Sequence, residues 1–237
     1  MSEHQDIVIA GGGMVGISLA LQLAAALPES GSITLVERFA LPKSAEEMAS
    51  NYHPSFDARS TALSYSSRLI YQDMGVWDDI CQWLCPIEHI HVSSKGRFGS
   101  ALLKAEDYDW PALGYVVENA WLGVALAAAL RKQGRVTTLS PASVVSAQPS
   151  DLGVDLVIEG EQNHSLSAGL LLVADGANSS LCEQLGVVID EKSYGQHALV
   201  ANLSSAQSHN GCAFERFTDE GPLALLPLVS AANEESR

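Results

Sequence analysis

Three glycines near the start of the chain have the spacing of a phosphate-binding turn. Gly11, Gly13 and Gly16 follow the apolar run 6–10 and open a second apolar stretch, 14–27. This order predicts a strand, a Gly-x-Gly-x-x-Gly turn and a helix, in which Gly11 permits the tight turn, Gly13 lets a pyrophosphate approach and Gly16 lets the helix pack closely. The first amides of that helix would face the phosphates. The pattern therefore predicts a dinucleotide site.

An acidic residue follows at the expected distance. Ser32–Val36 reads as a second apolar strand, and Glu37 stands at its end, 24 residues after Gly13. A carboxylate in this position can accept hydrogen bonds from a ribose diol. The alternative is an ordinary βαβ unit in which Glu37 is a solvated strand end.

Composition limits the classes of function. The chain has 237 residues, 47% of them hydrophobic, which predicts a soluble globular protein with a sizeable core. Thirteen basic residues against twenty-eight acidic ones give a net charge of −15, which disfavours nucleic acid and anionic lipid as partners. The start lacks a signal sequence and a membrane span, so we expect a cytoplasmic protein. The four cysteines show neither zinc-type pairs nor a disulfide scaffold.

A second helix is predicted from Asp57 toward Gly75, with Arg59 in its first turn. A cation there is unfavourable for the helix dipole, so Arg59 suggests an anionic partner, although a surface arginine is the alternative. The alternation Ile87–Ser93 predicts a strand with His89 and His91 on one face. A third ligand with suitable spacing is lacking, so we expect no metal site.

The second half of the chain predicts a return to the first domain and then a sheet-rich region. Asp175 ends the last strand of the first domain, so we expect it, with Gly176, on the cofactor side; a plain Asp-Gly turn is the alternative. The predicted strands and helix are Tyr115–Asn119, helix Trp121–Lys132, Arg135–Leu139, Ala142–Gln148, Val154–Glu159, the buried parallel strand Leu170–Ala174, and the antiparallel strands His197–Ser204, Cys212–Phe217 and Leu223–Val229.

At this point the sequence resembles the FAD-dependent aromatic hydroxylases of the p-hydroxybenzoate hydroxylase type, and within them the ubiquinone-biosynthesis hydroxylases. The resemblance covers the whole chain, and its last stretch is the most specific. It rests on the stretches Gly11–Gly16, Asp57–Leu63 (Asp-Ala-Arg-Ser-Thr-Ala-Leu), Val173–Ser179 (Val-Ala-Asp-Gly-Ala-Asn-Ser) and Phe214–Pro227.

The resemblance implies an α/β fold: a Rossmann-like FAD-binding domain, residues 1–84 and 113–186, with a partial, mostly antiparallel β-sheet substrate domain, residues 85–112 and 187–237. The implied reaction uses NAD(P)H to reduce FAD and dioxygen to hydroxylate a polyprenyl phenol, with no catalytic acid or base assigned. Asn119 stands where relatives often carry Arg or Gln. The implied cofactor-binding residues are Gly11, Gly13, Gly16, Glu37, Arg38, Arg59, Asn119, Asp175 and Gly176.

The sequence departs from the family pattern in one respect. Members of the family carry a later Gly-Asp motif, and this sequence contains no Gly-Asp dipeptide. We therefore expect an N-terminal fragment that binds FAD weakly or not at all, with strand 223–229 as an open edge that favours dimerisation. Two alternatives stay open: a non-catalytic module that associates with other ubiquinone-pathway proteins, and a nicotinamide-dependent dehydrogenase. By family, association with the inner membrane is also expected.

Overall fold

The computed structural model describes residues 3–44, 47, 53, 55, 57, 59–161 and 163–229. The chain divides into two compact units, the first made of residues 1–57 and 122–199 and the second of 58–121 and 200–237. The expected domain limits near residues 84, 113 and 186 differ from these divisions.

The described residues form strands, helices and two short 3₁₀ segments. Strands β1 to β13 are Glu3–Ala10, Ile33–Val36, Ser60–Ser64, Cys85–Ile87, His89–Ser94, Ser100–Lys104, Gly114–Glu118, Val136–Leu139, Ala142–Ser150, Gly153–Gly160, His164–Val173, Cys212–Thr218 and Gly221–Leu225. Helices α1 to α5 are Met14–Ala26, Tyr65–Asp73, Trp77–Ile80, Asn119–Gln133 and Ser180–Gln184, and the 3₁₀ segments are Cys81–Trp83 and Ala105–Tyr108.

The first unit is built on a six-stranded sheet in the order β8-β2-β1-β11-β10-β9. Strands β8, β2, β1 and β11 run parallel to one another. Strand β10 pairs antiparallel with both β11 and β9. The carboxyl ends of the four parallel strands therefore share one edge. The predicted hairpin of β9 and β10 and the parallel strand β11 are both present, but Leu170 in β11 is half exposed rather than buried.

Strands β1 and β2 are interior strands of this sheet and are deeply buried. Residues 7–10 and 33–36 are all buried, as expected for apolar parallel strands covered on both faces. Helix α1 buries Gly16, Ile17, Ala20, Leu21 and Ala24, and this spacing of three and four residues forms one face of the helix.

The second unit corrects the predicted helix Asp57–Gly75. Ser60–Ser64 is strand β3, which pairs antiparallel with β7, and helix α2 starts only at Tyr65. Ser64 ends the strand and caps the helix, because its hydroxyl accepts a hydrogen bond from the Ser67 N–H at 3.2 Å. Tertiary pairing with β7 overrides the helical pattern here. Arg59 therefore precedes a strand and does not lie in a helical first turn.

The predicted strand Ile87–Ser93 is two strands that lie in different sheets. β4 joins the three-stranded sheet β3-β7-β4, whereas β5 joins the four-stranded sheet β13-β12-β5-β6. Glu88 separates them, and its N–H donates to the Gly211 carbonyl at 2.8 Å. Strand β7, predicted to belong to the first domain, pairs with β3 and β4 in the second unit.

The predicted strand His197–Ser204 is wrong, because the described residues between Val187 and Gly211 form no helix or strand. Strand β12 pairs antiparallel with β13 and β5 pairs antiparallel with β6, so this sheet is mostly antiparallel, as predicted, with one parallel pair between β12 and β5. Strand β13 lies at one edge of the sheet, as predicted for the last strand, although it ends earlier, at Leu225.

Candidate functional site

Three stretches singled out by the sequence meet at the carboxyl edge of the six-stranded sheet. The Gly11 N–H donates to the Val36 carbonyl at 2.8 Å, which joins the end of β1 to the end of β2. On the other side of β1, the Ala174 N–H donates to the Ala10 carbonyl at 2.7 Å. Gly11, Glu37 and Asp175 are therefore held on neighbouring strand ends, as predicted.

The glycines of the turn are required by backbone packing. Gly11 has φ +107°, and a Cβ on it would lie 2.3 Å from the Ala174 carbonyl oxygen. A Cβ on Gly16 would lie 1.8 Å from the Gly11 carbonyl oxygen. A real Cβ essentially never lies within 3.0 Å of a backbone atom. The turn and the first helix can therefore approach each other only because both residues are glycine.

The start of α1 is suited to an anion. Gly13 is the N-cap and offers no side chain, and no acidic residue lies in the first turn. The first amides of this 13-residue helix therefore keep their donor capacity, with the positive end of the dipole behind them. A Cβ on Gly13 would lie 3.0 Å from the Ser55 Oγ, so the Ser55 side chain lies directly over the turn.

Glu37 follows β2 and turns its side chain toward the glycines. The carboxylate is buried and accepts hydrogen bonds from the N–H groups of Gly12 and Phe39, the latter at 2.8 Å. Burial by itself raises the pKa of Glu37, but the His53 ring and the two amide donors outweigh it, so the pKa lies below the ordinary value. Glu37 is therefore held as a carboxylate.

His53 was not identified by the sequence reasoning. It is buried, and its Nε2 lies 3.6 Å from Glu37 Oε1. Its Nδ1 accepts a hydrogen bond from the Ser55 N–H at 3.2 Å, and its ring meets the Phe39 ring edge-on, with centroids 5.5 Å apart. A single histidine in a polar stretch carries no spacing signal, so only the folded chain reveals this contact.

The other candidates of the first unit are exposed. The Arg38 guanidinium lies 5.8 Å from the centroid of the Phe39 ring. Asp175 Oδ2 accepts a hydrogen bond from the Ser179 hydroxyl at 3.0 Å, and the same hydroxyl caps α5. Gly176 has φ +99° with open space where a Cβ would stand. All three lie at or just beyond the strand ends.

Arg59 and Asn119 belong to the second unit, where the fold places them side by side. The Asn119 N–H donates to the Arg59 carbonyl at 2.8 Å. The Asn119 side chain is buried, and its Oδ1 accepts a hydrogen bond from the Thr61 hydroxyl at 2.6 Å. Asn119 therefore has a structural partner within its own unit. The Arg59 side chain is exposed.

Two further expectations concern histidines and membrane spans. His91 contacts the Phe214 ring, and no group of three or more His, Cys, Asp or Glu residues in the described chain is placed to hold a metal ion. Among the same residues, no helix combines the length and apolar character needed to cross a bilayer.

Known proteins with similar sequences share most of this chain. The ubiquinone hydroxylase UbiL of Rhodospirillum rubrum is 31% identical over 224 residues, which are 94% of this chain and 49% of that protein. The 3-demethoxyubiquinol 3-hydroxylase of Escherichia coli K12 is 30% identical over 227 residues, 96% of this chain and 55% of that protein. The chain is a homologue of the ubiquinone-biosynthesis hydroxylases. It spans about half the length of the curated relatives it matches, and no family model matches it.

Comparison with solved structures confirms the α/β fold class predicted for this chain. The p-nitrophenol 4-monooxygenase PnpA from Pseudomonas putida DLL-E4 superposes with a TM-score of 0.62 at 20% identity, over 78% of this chain and 44% of that one. A geranylgeranyl bacteriochlorophyll reductase-like protein from Thermoplasma acidophilum gives a TM-score of 0.67 at 14% identity, over 97% of this chain and 55% of that one. At these identities the likeness establishes the fold alone.

Proposed function

We propose that this chain binds the ADP half of FAD and forms part of an NAD(P)H- and dioxygen-dependent monooxygenase that hydroxylates the ring of a polyprenyl phenol in ubiquinone biosynthesis. The observation that carries the proposal is the buried Glu37 carboxylate at the glycine turn, on the edge where β1, β2 and β11 end. The names of the related hydroxylases support the reaction class.

The residues of the first unit fit an adenine dinucleotide. The open amides at the start of α1, beside Gly13, suit the pyrophosphate, and Glu37 suits the ribose hydroxyls. Arg38 and Asp175 present charged side chains near the same edge. Bound FAD would supply the electron-transfer and oxygen-transfer chemistry. The chain's own residues would bind and orient it.

Arg59 and Asn119 are proposed as further cofactor residues within the second unit. Arg59 offers an exposed cation, and the side chain of Asn119 is oriented by Thr61. Replacing Thr61 with Val removes that donor while keeping the shape, so an effect of Thr61→Val on FAD affinity would assign Asn119 a binding role. An unchanged affinity would leave Asn119 a purely structural residue.

Titration of the 237-residue chain with FAD, followed by quenching of flavin fluorescence, tests the proposal. We expect weak but saturable binding that ADP displaces, which lies at the upper end of the weak FAD binding expected from the sequence. Glu37→Gln should weaken binding by at least about tenfold, because a charged acceptor is worth about 1.5–3 kcal/mol. Glu159→Gln, at an exposed site in β10, is the matched control. Binding of NADH in place of FAD would favour a dehydrogenase, and no binding of either would overturn the proposal.

The open edge of β13 supports a proposed homodimer. Among the residues that the structure describes, this strand pairs only with β12, and its residues Leu223 and Leu225 are about half exposed. A row of unsatisfied backbone groups beside exposed leucines favours pairing between copies. Sedimentation equilibrium should show a dimer that Ala224→Pro dissociates, whereas a monomer at all concentrations would exclude this partner.

A further inference from the structure

The contact between His53 and Glu37 has no part in the function proposed above, yet both side chains are buried. His53 is 4% exposed and Glu37 is 6% exposed. Ionisable side chains are rarely buried to this extent unless a partner compensates for the lost water. A buried histidine facing a buried carboxylate therefore requires a physical explanation.

The hydrogen bond to Nδ1 fixes the tautomer of the ring. The Ser55 backbone N–H can only donate, so His53 Nδ1 must accept. In the neutral ring the proton is then on Nε2, the atom that lies 3.6 Å from Glu37 Oε1. The Phe39 ring packs edge-on against the imidazole and holds its plane. His53 therefore presents an N–H to Glu37 whether the ring is neutral or charged.

The two amide donors and the His53 ring are distributed unequally over the two oxygens of Glu37. Oε1 faces both the Phe39 N–H and His53 Nε2, whereas Oε2 accepts from the Gly12 N–H. A carboxylate has about four lone-pair positions. Oε1 therefore has one amide donor and the polar edge of the His53 ring beside it, whereas Oε2 has one amide donor and keeps one acceptor position. The remaining acceptor position is on Oε2, the oxygen that is hydrogen-bonded to the glycine turn. It is therefore oriented to accept a hydrogen bond from a hydroxyl group of a ligand bound at the turn.

We propose that His53 is a positioning residue: its Nε2, 3.6 Å from Glu37 Oε1, holds the carboxylate in place and so directs Oε2 toward a ribose hydroxyl of the bound dinucleotide. The ribose part of this assignment rests on the function proposed above. An oriented acceptor binds more tightly because less side-chain freedom is lost when the ligand arrives. His53 itself need not touch the ligand.

A set of variants separates positioning from bulk structure. His53→Ala should weaken FAD binding by up to about tenfold, because it removes the polar group that faces Glu37 Oε1. His53→Gln, which keeps an N–H near the position of Nε2, should recover most of the affinity. His209→Ala is the matched control. Like His53, His209 accepts a hydrogen bond at Nδ1 from the backbone N–H two residues later, that of Gly211, but its side chain is exposed.

A double-mutant cycle with Glu37→Gln tests the route of the effect. If His53 acts through Glu37, His53→Ala should change FAD affinity by less than about twofold once Glu37 is Gln, because the two changes are then not additive. Full additivity, or unchanged or tighter binding in His53→Ala, would overturn the positioning role. Unfolding curves for each variant separate a loss of fold from a loss of affinity.

A measurement without ligand distinguishes failure of this proposal from failure of the proposed function. Carbon-13 NMR of the Glu37 carboxyl should show a pKa below the ordinary value that rises in His53→Ala. If wild type binds FAD but the Glu37 pKa does not respond to His53→Ala, the positioning proposal alone fails. If the pKa responds but wild type binds no FAD, the ribose assignment and the proposed function fail together, and the pairing of His53 with Glu37 stands.

Discussion

The two largest sheets of the chain bury their strands to very different extents. Every residue from Ile7 to Ala10 and from Ile33 to Val36 in the six-stranded sheet is at most 8% exposed. In the four-stranded sheet, Phe214, Leu223 and Leu225 are between 43% and 56% exposed. The first sheet therefore tolerates little change at its centre, whereas the second carries large apolar side chains whose removal should cost little.

The same contrast holds for polar contacts. Arg135 in the first unit donates to the carbonyls of Ala24, Leu27 and Pro28 at the end of α1. Arg216 in the second unit is exposed and reaches the Ser93 hydroxyl at 3.4 Å. Arg135 thus satisfies backbone carbonyls at the end of a helix, whereas Arg216 leaves its charge in water. Paired substitutions, one in each unit, test this difference.

The largest effect is expected from paired glycines with positive φ. Gly11→Ala should destabilise the chain by at least about 3 kcal/mol, because the new Cβ would collide with the Ala174 carbonyl. Gly99 has φ +92° in the loop between β5 and β6 with open space around it, so Gly99→Ala should cost only about 1 kcal/mol. Urea unfolding followed by circular dichroism measures both. Equal losses would show that φ alone, and not the close approach, requires Gly11.

Paired leucines should differ by a slightly smaller amount. Leu156 in β10 is 2% exposed, so Leu156→Ala should cost about 3 kcal/mol through lost burial and a cavity. Leu225→Ala in β13 should stay within about 1 kcal/mol, because the side chain is already half in water. The same urea experiment applies. A loss at Leu225 as large as that at Leu156 would mean that β13 is covered in solution.

Paired arginines should show a difference of about 1–2 kcal/mol in the free energy of unfolding. Arg135→Met keeps the apolar stem but removes the donors to three carbonyls at the end of α1. Arg216→Met removes an exposed charge and should be nearly neutral. Thermal unfolding at two salt concentrations checks this prediction. Comparable destabilisation by both substitutions would contradict it.

The smallest effects are expected from two glutamates whose pKa is lowered for different reasons. Burial raises the pKa of Glu37, but His53 and two backbone amides outweigh burial and lower it. The pKa of Glu106 is lowered by the exposed Lys104 ammonium, which lies 2.9 Å away. A glutamate whose pKa is lower in the folded than in the unfolded protein stabilises the fold at pH values above the unfolded-state pKa. This stabilisation is lost as the pH falls through the folded-state pKa. Both glutamates should therefore lose stabilising effect below about pH 4.3, the ordinary glutamate value.

Salt distinguishes the two glutamates. The difference in unfolding free energy between wild type and Glu37→Gln should shrink from pH 5 to pH 3 at both low and high salt. The difference for Glu106→Gln should be visible only at low salt, because exposed charges are screened. Unfolding curves across this pH range provide the measurement. A salt-sensitive effect at Glu37 would mean that its carboxylate is open to solvent.

The parts of the fold that could be predicted are those encoded locally. The strand, turn and helix around Gly11, the acid at Glu37 and the hairpin of β9 and β10 each depend on residues close together in sequence. Strand β3 could not be predicted, because its pairing with β7 joins residues 50 to 58 positions apart. The split at Glu88 likewise depends on Gly211.

The candidate site divides in the same way. Gly11, Glu37 and Asp175 were placed correctly because parallel strands bring their carboxyl ends to one edge whatever their loops do. His53 was missed because its contact with Glu37 arises from a long connection without a periodic pattern. The helical position of Arg59 was wrong because a single cation could not reveal that the following residues form a strand.

Strand β12 lies beside β5 although Cys212 and His89 are separated by more than a hundred residues. On the ribosome, β5 and β6 emerge long before their third strand exists, and one side of β5 stays open throughout that interval. Closing so long a loop slows folding, since the ordering entropy is lost before the new contacts form. Nascent chains of this protein should therefore depend on chaperones until synthesis passes Thr218.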